Sequence, residues 1–549
     1  MSRTTAELIV KCLENEGVTH IFGLPGEENI YLLDALSRSG IRFILVRHEQ
    51  GASFMADVYG RLTGKAGVCL STLGPGSINL LLGVADAHTN STPVVAISAQ
   101  VGLNRIFKES HQIIRLQDIY APVTKWADTL YTAAAVPEMV RKAFQLSQTE
   151  RPGSTFLAIP QNFETEAAPD DARPLPVAIQ DYRAPSPLQI DLAMNLIQKA
   201  RYPVVLAGYG TVRANATESL ERFVDTFDLP VATTFMAKGV LSDRHPNVMG
   251  TIGYTTHDYE NFAFDKADLI IAIGFELQEF DPVRINPKGD TPVVHIHCFM
   301  QDVDKSYPVA VNIIADIPAS LDALTEKQVT GITRSERLEK KIREDLRHEL
   351  EKGSTDTRFP LRPERIIADI RHVMGDDDIV LADTGAIKMW MARLYPTYKP
   401  STCLITNGLS TMSFALPGAL GARIACPDKK ILAVMGDGSF LMNSQELETA
   451  IREKLPFVIL VWVDQNYGLI KWNMDLKLGH HVDVHFNNPD FVKYAESFGA
   501  RGKLVGKAND LAMLLKEALD YDGITVIACP VDYSVNLQLS ETLETVKSA

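Results

Sequence analysis

The stretch "VMGDGSFLMNSQELETAIREKLPFVILVWVDQNYG", residues 434–468, decides the fold of this chain. It contains two apolar runs, and each run ends in an aspartate: Asp437 follows the first and Asp464 follows the second. Residues 444–456, between the runs, have the pattern of a helix. A strand, a helix and another strand predict a crossover unit whose two strands are parallel neighbours. Both aspartates are then expected at the carboxyl ends of adjacent strands, where open α/β sheets bind their ligands.

Length and composition describe a globular protein of several domains. The 549 residues correspond to three or four domains at roughly 150 residues each. Hydrophobic residues make up 46% and charged residues 22% of the chain, which is enough to bury a large core. The net charge is -14, and no cluster of Lys and Arg has interleaved aromatic residues. We therefore expect no nucleic-acid partner.

The sequence pattern predicts no targeting signal in this chain. Its N-terminus, "MSRTTAELIVKCLENEGV", starts directly with an amphipathic helix pattern, which predicts no signal peptide. Apolar runs such as "FVILVWV" are too short to cross a bilayer. The six cysteines are scattered, without the short spacing of a zinc site or a redox motif, as is typical of a reducing compartment. These features predict a cytoplasmic protein without a membrane partner.

Short runs rich in Val and Ile alternate with helical patterns along the whole chain. Several of these runs are apolar on both faces, as buried parallel strands are. The alternation of strand and helix patterns is interrupted at residues 166–189, which are rich in proline and acidic residues and are interpreted as a linker. It is interrupted again at residues 334–366, which are interpreted as a charged, solvent-facing helix and a second linker. The predicted domains are 1–165, 190–333 and 367–535.

The two aspartates suggest a site for a hard cation. Mg²⁺ takes oxygen ligands and usually binds together with phosphate. Gly436, Gly438 and Ser439 would present backbone N–H groups to that phosphate. The alternative is that Asp437 caps a helix and Asp464 forms a turn. Together, at this spacing, the two acids favour the metal site.

These residues carry a family resemblance. "GDGS" (436–439), with an Asp/Asn-containing turn downstream, resembles the diphosphate-binding motif of thiamine diphosphate (ThDP) enzymes. In that family an "NN"-type pair closes the motif, whereas here the closing pair is Val463-Asp464, with Asn466 two positions on. The resemblance implies that Mg²⁺ is held by Asp437, Asp464 and Asn466. Aspartate in place of asparagine keeps the oxygen ligand and adds negative charge.

A second resemblance concerns Glu49. The stretch "RHEQGASFMADVYGRLTGKAGV" (47–68) is similar to the pyrimidine-binding domain of the acetolactate synthase group, and Glu49 matches its essential acid. The aminopyrimidine ring of the cofactor must reach its imino tautomer. A protonated carboxyl group that is bonded through its hydrogen to the ring nitrogen favours this tautomer. A carboxyl group in an apolar pocket has a raised pKa and can carry that proton near neutrality. By position alone, Glu49 would be an ordinary acid in the first turn of a helix.

The resemblance implies further cofactor contacts in both outer segments. In the first segment they come from "FGLPG" (22–26) and "STLGPGSIN" (71–79); in the third they come from "LADTGAI" (381–387), the loop 407–422 and the motif 436–469. Met412 would be the apolar wedge that bends the cofactor, or else a plain core residue. The implied contacts are Pro25, Gly26, Glu49, Thr72, Asn79, Asp383, Gly385, Gly408, Met412, Gly436, Gly438, Ser439, Tyr467, Gly468 and Leu469.

Two residues are candidates for binding the substrate. Gln112, in "SHQ", stands where the family has a substrate-pocket glutamine, although its neighbours here are His111 and Ile113. Lys125, in "VTKW", is a candidate partner for the substrate carboxylate, and a surface lysine is the competing interpretation. Together with Glu49 they form the predicted catalytic set.

The resemblance covers nearly the whole chain and, within the family, is strongest to the catabolic acetolactate synthases. "VKYAESFGARG" and "PVDYSVN" are typical of that subgroup. The middle segment lacks the "ARFDDRV"-type stretch of the FAD-dependent synthases, so we expect ThDP and Mg²⁺ as cofactors and no FAD. The implied fold is α/β: three doubly wound parallel-sheet domains, which are pyrimidine-binding, central Rossmann-like and diphosphate-binding.

The implied activity is the decarboxylating condensation of two pyruvate molecules to 2-acetolactate and CO₂. Alternatives are a 2-oxo acid decarboxylase that releases aldehyde, a FAD-using acetohydroxyacid synthase or pyruvate oxidase, and a non-enzymatic paralogue that has kept the fold. Expected partners are small 2-oxo acids and further copies of the chain. The family's interface site implies a homodimer at least, and a homotetramer is expected.

Overall fold

The computed structural model describes residues 3–178, 183–253, 257–327 and 338–540. Within these ranges the chain forms three six-stranded sheets, and the strands of each sheet run parallel throughout. Helices cover the sheets on both faces, as parallel sheets require. The predicted fold class is confirmed.

The N-terminal third of the chain forms the first sheet. Its strands are β1 (His20–Gly23), β2 (Arg42–Leu45), β3 (Gly67–Ser71), β4 (Val94–Gln100), β5 (Trp126–Thr129) and β6 (Ser154–Pro160), in the order β2-β1-β3-β4-β6-β5. Its helices are α1 (Thr5–Asn15), α2 (Ile30–Ser37), α3 (Glu49–Thr63), α4 (Pro75–Thr89), α5 (Leu116–Tyr120), α6 (Val136–Gln148) and α7 (Gln161–Glu164), with 3₁₀ turns at Glu27–Asn29, Ala121–Val123 and Ala133–Ala135. β3, β4 and β6 are buried along their whole length, as central strands are.

The middle sheet also has six parallel strands. Its strands are β7 (Pro203–Ala207), β8 (Val231–Thr233), β9 (Val248–Thr251), β10 (Leu269–Ile273), β11 (Val293–His297) and β12 (Val309–Ile314), in the order β12-β11-β10-β7-β8-β9. Its helices are α8 (Pro187–Lys199), α9 (Tyr209–Arg213), α10 (Thr217–Phe227), α11 (Tyr259–Lys266), α12 (Ile317–Thr325) and α13 (Leu338–Ser354), with a 3₁₀ turn at Pro282–Arg284. The chain reverses its direction of winding between β7 and β10, which makes that pair the switch point of this sheet.

The third sheet carries the two aspartates. Its strands are β13 (Ile379–Ala382), β14 (Cys403–Ile405), β15 (Ile431–Gly436), β16 (Val458–Val463), β17 (Arg501–Leu504) and β18 (Thr525–Pro530), in the order β14-β13-β15-β16-β18-β17. Its helices are α14 (Pro363–Val373), α15 (Ala386–Leu394), α16 (Ala415–Ala425), α17 (Asp437–Asn443), α18 (Glu446–Arg452), α19 (Gly468–Leu478), α20 (Phe491–Ser497) and α21 (Leu511–Leu519), with a 3₁₀ turn at Ala508–Asp510.

β15 and β16 are neighbours, as the crossover pattern predicts. Gly436, the last residue of β15, pairs with Trp462, the penultimate residue of β16. Asp437 and Asp464 follow directly, so both leave the sheet at the same edge. Two short helices, α17 and α18, replace the single crossover helix that the sequence suggests.

The first and third domains share one hydrophobic core. Phe54 and Met55 of α3 belong to the same buried cluster as Phe414 and Leu416, at the start of α16. Beside this core, the buried carboxylate of Glu446 accepts hydrogen bonds from the backbone N–H groups of Arg47 (3.1 Å) and His48 (3.0 Å). The turn just before Glu49 is thus held by a residue of the third domain.

The prediction of a charged, solvent-facing helix and a linker at 334–366 holds only in part: the segment contains the mostly exposed helix α13, but one stripe of that helix is buried, and the irregular stretch is confined to residues 355–362 before α14. Residues 334–337 lie outside the described ranges. From Leu338 onward the segment forms α13, whose Ile342 is buried in the core of the middle domain and whose Leu346 packs against the cores of both the middle and the third domain. The pattern of charges hid an apolar stripe of one residue per turn. The described parts of the first predicted linker, 166–178 and 183–189, contain no regular helix or strand up to residue 186, whereas residues 187–189 already form the start of α8.

Candidate active site

Two helices begin at the carboxyl edge of the third sheet and point their N-termini into one cavity. α15 follows Gly385 and α19 follows Tyr467, and neither helix has a side-chain cap. Their first N–H groups therefore have no side-chain acceptor and face the cavity with a partial positive charge. Such an arrangement binds a phosphate or diphosphate group.

The cavity collects most of the predicted diphosphate-side residues. Eleven of them line it: Gly385, Met412, Gly436, Asp437, Gly438, Ser439, Asp464, Asn466, Tyr467, Gly468 and Leu469. The sequence did not single out the remaining lining residues, which are Thr384, Ala386, Ile387, Ile470 and Tyr533. A Cβ atom on Gly468 would lie 2.9 Å from Oδ2 of Asp464, so a larger residue there would displace this carboxylate.

Asp437 ties the two strand ends together. Its Oδ2 accepts hydrogen bonds from the backbone N–H groups of Asp464 (3.2 Å) and Gln465 (2.8 Å) and from Nδ2 of Asn488 (2.7 Å). Its Oδ1 accepts one from the N–H of Gly438 (2.9 Å). The cap of α17 is Gly436 and not Asp437, so the helix-cap alternative does not describe this carboxylate.

Burial disfavours the ionised form of both carboxylates, which a bound cation would offset. Burial raises the pKa of Asp437. Burial, followed by the charge of Asp437, raises the pKa of Asp464 to about 7. A divalent ion between them would keep both ionised, as bound metals do for their ligands.

The residues present fit Mg²⁺ held together with a diphosphate. Within the described ranges, no group of three or more His, Cys, Asp or Glu side chains could hold a metal. Two carboxylates and the amide of Asn466 are therefore an incomplete shell, which phosphate oxygens would complete. Two buried oxygens beside them have no protein partner in the described part of the chain: Oγ1 of Thr384 and Oδ1 of Asn488.

Two predicted cofactor contacts lie beside the cavity instead of in its wall. Asp383 is fully buried, and its carboxylate accepts hydrogen bonds from Ser439 Oγ (2.8 Å) and from the N–H groups of Ser413 and Ala415 (both 2.9 Å). Burial raises the pKa of Asp383 to about 6. Gly408 packs on the end of α4, where a Cβ atom would lie 2.7 Å from the carbonyl of Thr89. Asp383 thereby positions Ser439 of the cavity wall, whereas Gly408 lets its loop pack closely on α4.

The pyrimidine-side residues form a second group, at the carboxyl edge of the first sheet. Glu49 is only 4% exposed and accepts a hydrogen bond from Nδ2 of Asn79 (3.1 Å). A Cβ atom on Gly76 would lie 3.0 Å from Oε1 of Glu49 and 2.9 Å from Thr72. A Cβ atom on Gly26 would also collide with Thr72. The structure thus brings four predicted residues, Gly26, Glu49, Thr72 and Asn79, together.

The remaining predictions in the first domain have different outcomes. Pro25 is exposed in the turn before Gly26. Gln112 is exposed, has a φ of 58°, and packs over Gly74 on the loop that leads into α4. Lys125 is engaged elsewhere: its Nζ donates hydrogen bonds to the carbonyls of Thr149 (2.7 Å) and Arg151 (2.6 Å). Burial lowers the pKa of Lys125 to about 8. Its described contacts do not include Glu49 or Gln112.

Comparison with known proteins agrees with this geometry. Three models of thiamine pyrophosphate enzymes match: the N-terminal TPP-binding domain at residues 3–119, the central domain at 190–324 and the C-terminal TPP-binding domain at 383–529. Among the described residues, no helix is both long and apolar enough to span a membrane.

Curated relatives match along almost the whole chain. An acetolactate synthase of Bacillus subtilis is 36% identical over 97% of this chain and 94% of its own length. A catabolic acetolactate synthase of Raoultella terrigena is 33% identical over 97% and 95%. An acetolactate synthase large subunit of Corynebacterium glutamicum is 33% identical over 95% and 86%. With the three matched domains and these relatives, the chain belongs to the thiamine diphosphate-dependent acetolactate synthase family of enzymes.

Proposed function

We propose that this enzyme condenses two pyruvate molecules into 2-acetolactate with release of CO₂, using ThDP and Mg²⁺. The observation that carries the proposal is the meeting of Asp437, Asp464 and two uncapped helix N-termini in one cavity, in a chain that also buries Glu49. The relatives named acetolactate synthase, one of them catabolic, support the same reaction and the catabolic subgroup.

Each group has a defined task in this proposal. Asp437, Asp464 and Asn466 would hold Mg²⁺, while the N-termini of α15 and α19 would bind the diphosphate. Met412 would press on the bound cofactor from the loop before α16. When bound, ThDP supplies the carbanion-forming centre that the reaction needs. Glu49 would hold a proton on the cofactor's pyrimidine ring, and Asn79 would orient the Glu49 carboxylate.

We infer that the site is completed by a second copy of the chain. The cavity at Asp437 measures about 110 Å³ and is lined by third-domain residues, which is small beside the roughly 300–1,000 Å³ of complete ligand sites. Glu49 belongs to a separate group on the first domain. On α4, near Asn79, Ile78 is 43% and Leu82 is 40% exposed. Exposed apolar side chains beside an incomplete site fit a dimer interface, and a tetramer of two such dimers is our further expectation.

The contacts at the switch point of the middle sheet support the proposal that the enzyme works without FAD. In a dinucleotide-binding sheet, the N–H groups of the first βα turn face the diphosphate of the ligand. Here the N–H of Tyr209 donates to Oε1 of Glu279 (3.0 Å), and the N–H of Gly210 donates to the carbonyl of Gly274 (2.8 Å). A Cβ atom on Gly208 would lie 2.7 Å from Glu279. The crevice is filled by the chain's own groups.

The domain limits and the compartment follow from the same proposal. The matched family models fall within the predicted segments 1–165, 190–333 and 367–535, and these limits remain our prediction. We propose that the enzyme acts in the cytoplasm.

A product assay tests the proposal. Purified protein is incubated with pyruvate, ThDP and Mg²⁺ without FAD, and the products are identified by NMR. We expect acetolactate from the wild type, and at least about a hundredfold lower rate from Glu49→Gln with ThDP binding retained. Acetaldehyde as the main product would make the protein a decarboxylase. A requirement for FAD would overturn the conclusion drawn from the middle sheet.

A further inference from the structure

The charged helix α13 presents a row of cations to a cavity between the middle and third domains. Lys340, Arg343 and Arg347 lie three and four residues apart, so they share one face of the helix. All three line a cavity of about 500 Å³. The size lies within the range of small-molecule sites.

The other walls combine a buried cation with apolar surface. Lys238, which is 3% exposed in its side chain, stands on the middle-domain side together with Met249 of β9. Leu394 and Tyr395, at the end of α15, line the third-domain side. The cavity can therefore contact both a charged group and a ring or apolar portion of a ligand.

The cations of this cavity exceed its acids. Lys238, Lys340, Arg343 and Arg347 line it, against Asp243 and Glu344. The nearest carboxylate oxygen to Lys238 belongs to Asp243, at 3.9 Å. Three of the lining arginines are paired with acids: Arg244 with Asp376, Arg347 with Glu351 at 3.5 Å, and Arg393 with Asp258 and Glu349. Lys238, Lys340 and Arg343 remain against Asp243 and Glu344.

Arg343 is the best-placed donor. One of its nitrogens, Nη2, donates to the carbonyls of Asp243 (3.5 Å) and Arg244 (3.3 Å). In the described part of the chain, its Nε and Nη1 have no acceptor and no carboxylate lies within salt-bridge distance of it. A guanidinium group with free donors on a planar edge matches phosphate or carboxylate oxygens in a bidentate way.

We propose that this cavity binds a phosphorylated small molecule that also carries an apolar or ring portion. The excess of cations favours a ligand with more than one negative charge over a simple carboxylate. The lining does not include the turns after β7 and β10, so the site is separate from the switch point of the middle sheet. It is also separate from the cavity at Asp437.

One helix joins this cavity to the candidate active site. α15 begins at Ala386 and Ile387, which line the cavity at Asp437, and it ends at Leu394, which lines the cavity at Arg343. Because α15 reaches from one cavity to the other, a ligand that displaces its C-terminal end can also bias the position of its N-terminal end. The site is therefore positioned to change the affinity for ThDP, which deepens the proposed function by adding a regulator to it.

Isothermal titration calorimetry tests the binding. ATP and inorganic pyrophosphate are titrated separately into protein saturated with ThDP and Mg²⁺, so that the diphosphate cavity is already filled. We expect at least one probe to bind the wild type, and Arg343→Gln to weaken it by about tenfold or more, the loss expected for a charge-assisted hydrogen bond. Lys341→Gln, an exposed neighbour outside the lining, is the control and should bind as the wild type does.

The outcomes separate this proposal from the proposed reaction. If neither probe binds at millimolar concentration, or if Arg343→Gln binds as tightly as the wild type, the site is refuted whatever the enzyme produces. Binding is measured without pyruvate, so a failure to form acetolactate does not affect it. For the regulatory part, ThDP affinity is measured with and without the probe that binds. An unchanged affinity in the wild type would refute the coupling through α15.

Discussion

The carboxylate of Asp86, on α4 of the first domain, accepts a hydrogen bond of 2.9 Å from Oγ1 of Thr411, the residue before Met412. Its other oxygen accepts from Thr406 Oγ1 at 2.7 Å and from Asn90 Nδ2 at 3.1 Å. The loop that carries Met412 is therefore anchored by a buried acid of a different domain of the same chain.

Removing this anchor should slow the enzyme without abolishing its fold. Asp86→Ala leaves the hydroxyls of Thr406 and Thr411 without their acceptor, which costs roughly 1–3 kcal/mol of stability. A displaced Met412 would then lower kcat and weaken ThDP binding. The kcat and the ThDP affinity are measured together with the thermal melting curve. The control is Asp34→Ala, which removes an exposed acid. A kcat and a ThDP affinity equal to the wild type would show that the loop does not depend on Asp86.

Two inactive variants should rescue each other if the site is shared between subunits. Glu49→Gln and Asp437→Ala are co-expressed with different tags, and the mixed dimer is isolated. One of its two sites then carries both substitutions, and the other carries neither. We expect the mixed dimer to show about half of the wild-type activity per dimer. If Glu49 and Asp437 acted within one chain, no intact site could form and the mixed dimer would stay inactive.

Asn488 should prove to be a residue that supports the metal site. It donates to Asp437 and has a buried oxygen without a protein partner in the described residues. Asn488→Ala is expected to weaken Mg²⁺-dependent ThDP binding by about 10–100-fold, the usual effect of losing a group that orients a metal ligand. Asn487→Ala, which alters the exposed neighbour, should have no effect. Equal ThDP affinities of the two variants would show that Asn488 does not support the metal site.

Glu446 should make the stability of the protein depend on pH. Burial raises the pKa of Glu446 to about 7, well above the roughly 4.3 of an unfolded glutamate. Between these values the folded state binds a proton that the unfolded state does not. The contribution is therefore complete below about pH 4 and is lost as the pH rises through 7.

The matched comparison is Glu446→Gln, which cannot titrate. The free energy of unfolding of the wild type, relative to that of the variant, should fall by roughly 1–3 kcal/mol between pH 5 and pH 8. Urea titrations at several pH values measure this difference. Parallel curves for the two proteins would mean that Glu446 is ionised throughout the range.

The sequence predicts the sheets well where the strands are central. Strongly apolar runs such as 430–436 and 457–463 form β15 and β16 because both of their faces are buried. Strands at the edges of the sheets, such as β5, β9 and β17, need burial on fewer sides and so carry weaker sequence signals. β17 is mostly exposed, and its sequence "RGKL" gives no strand signal.

The site residues that lie in one continuous sequence motif could be predicted. Those that are brought to the site by tertiary contacts could not. The glycines and acids of 436–468 lie in one continuous crossover unit, so their meeting follows from local topology. Asn488 follows that unit in an irregular segment, and Thr384 looks like any threonine before a helix. Asp86 and Glu446 are ordinary helix residues in sequence, and their roles depend on the contact between domains. For Lys125, the nearby carbonyls of Thr149 and Arg151 could not be foreseen.

The core shared by α3 and α16 has a consequence for synthesis on the ribosome. The residues joined at Glu446 and Arg47 are 399 positions apart. At roughly 5–20 residues per second, the first sheet is complete about 15 to 60 seconds before Glu446 is made. During that interval the apolar side of α3 that will meet α16 has no partner within its own chain. The nascent first domain should therefore be a client of chaperones, and slowing translation should lower the yield of active enzyme more than that of a single-domain protein.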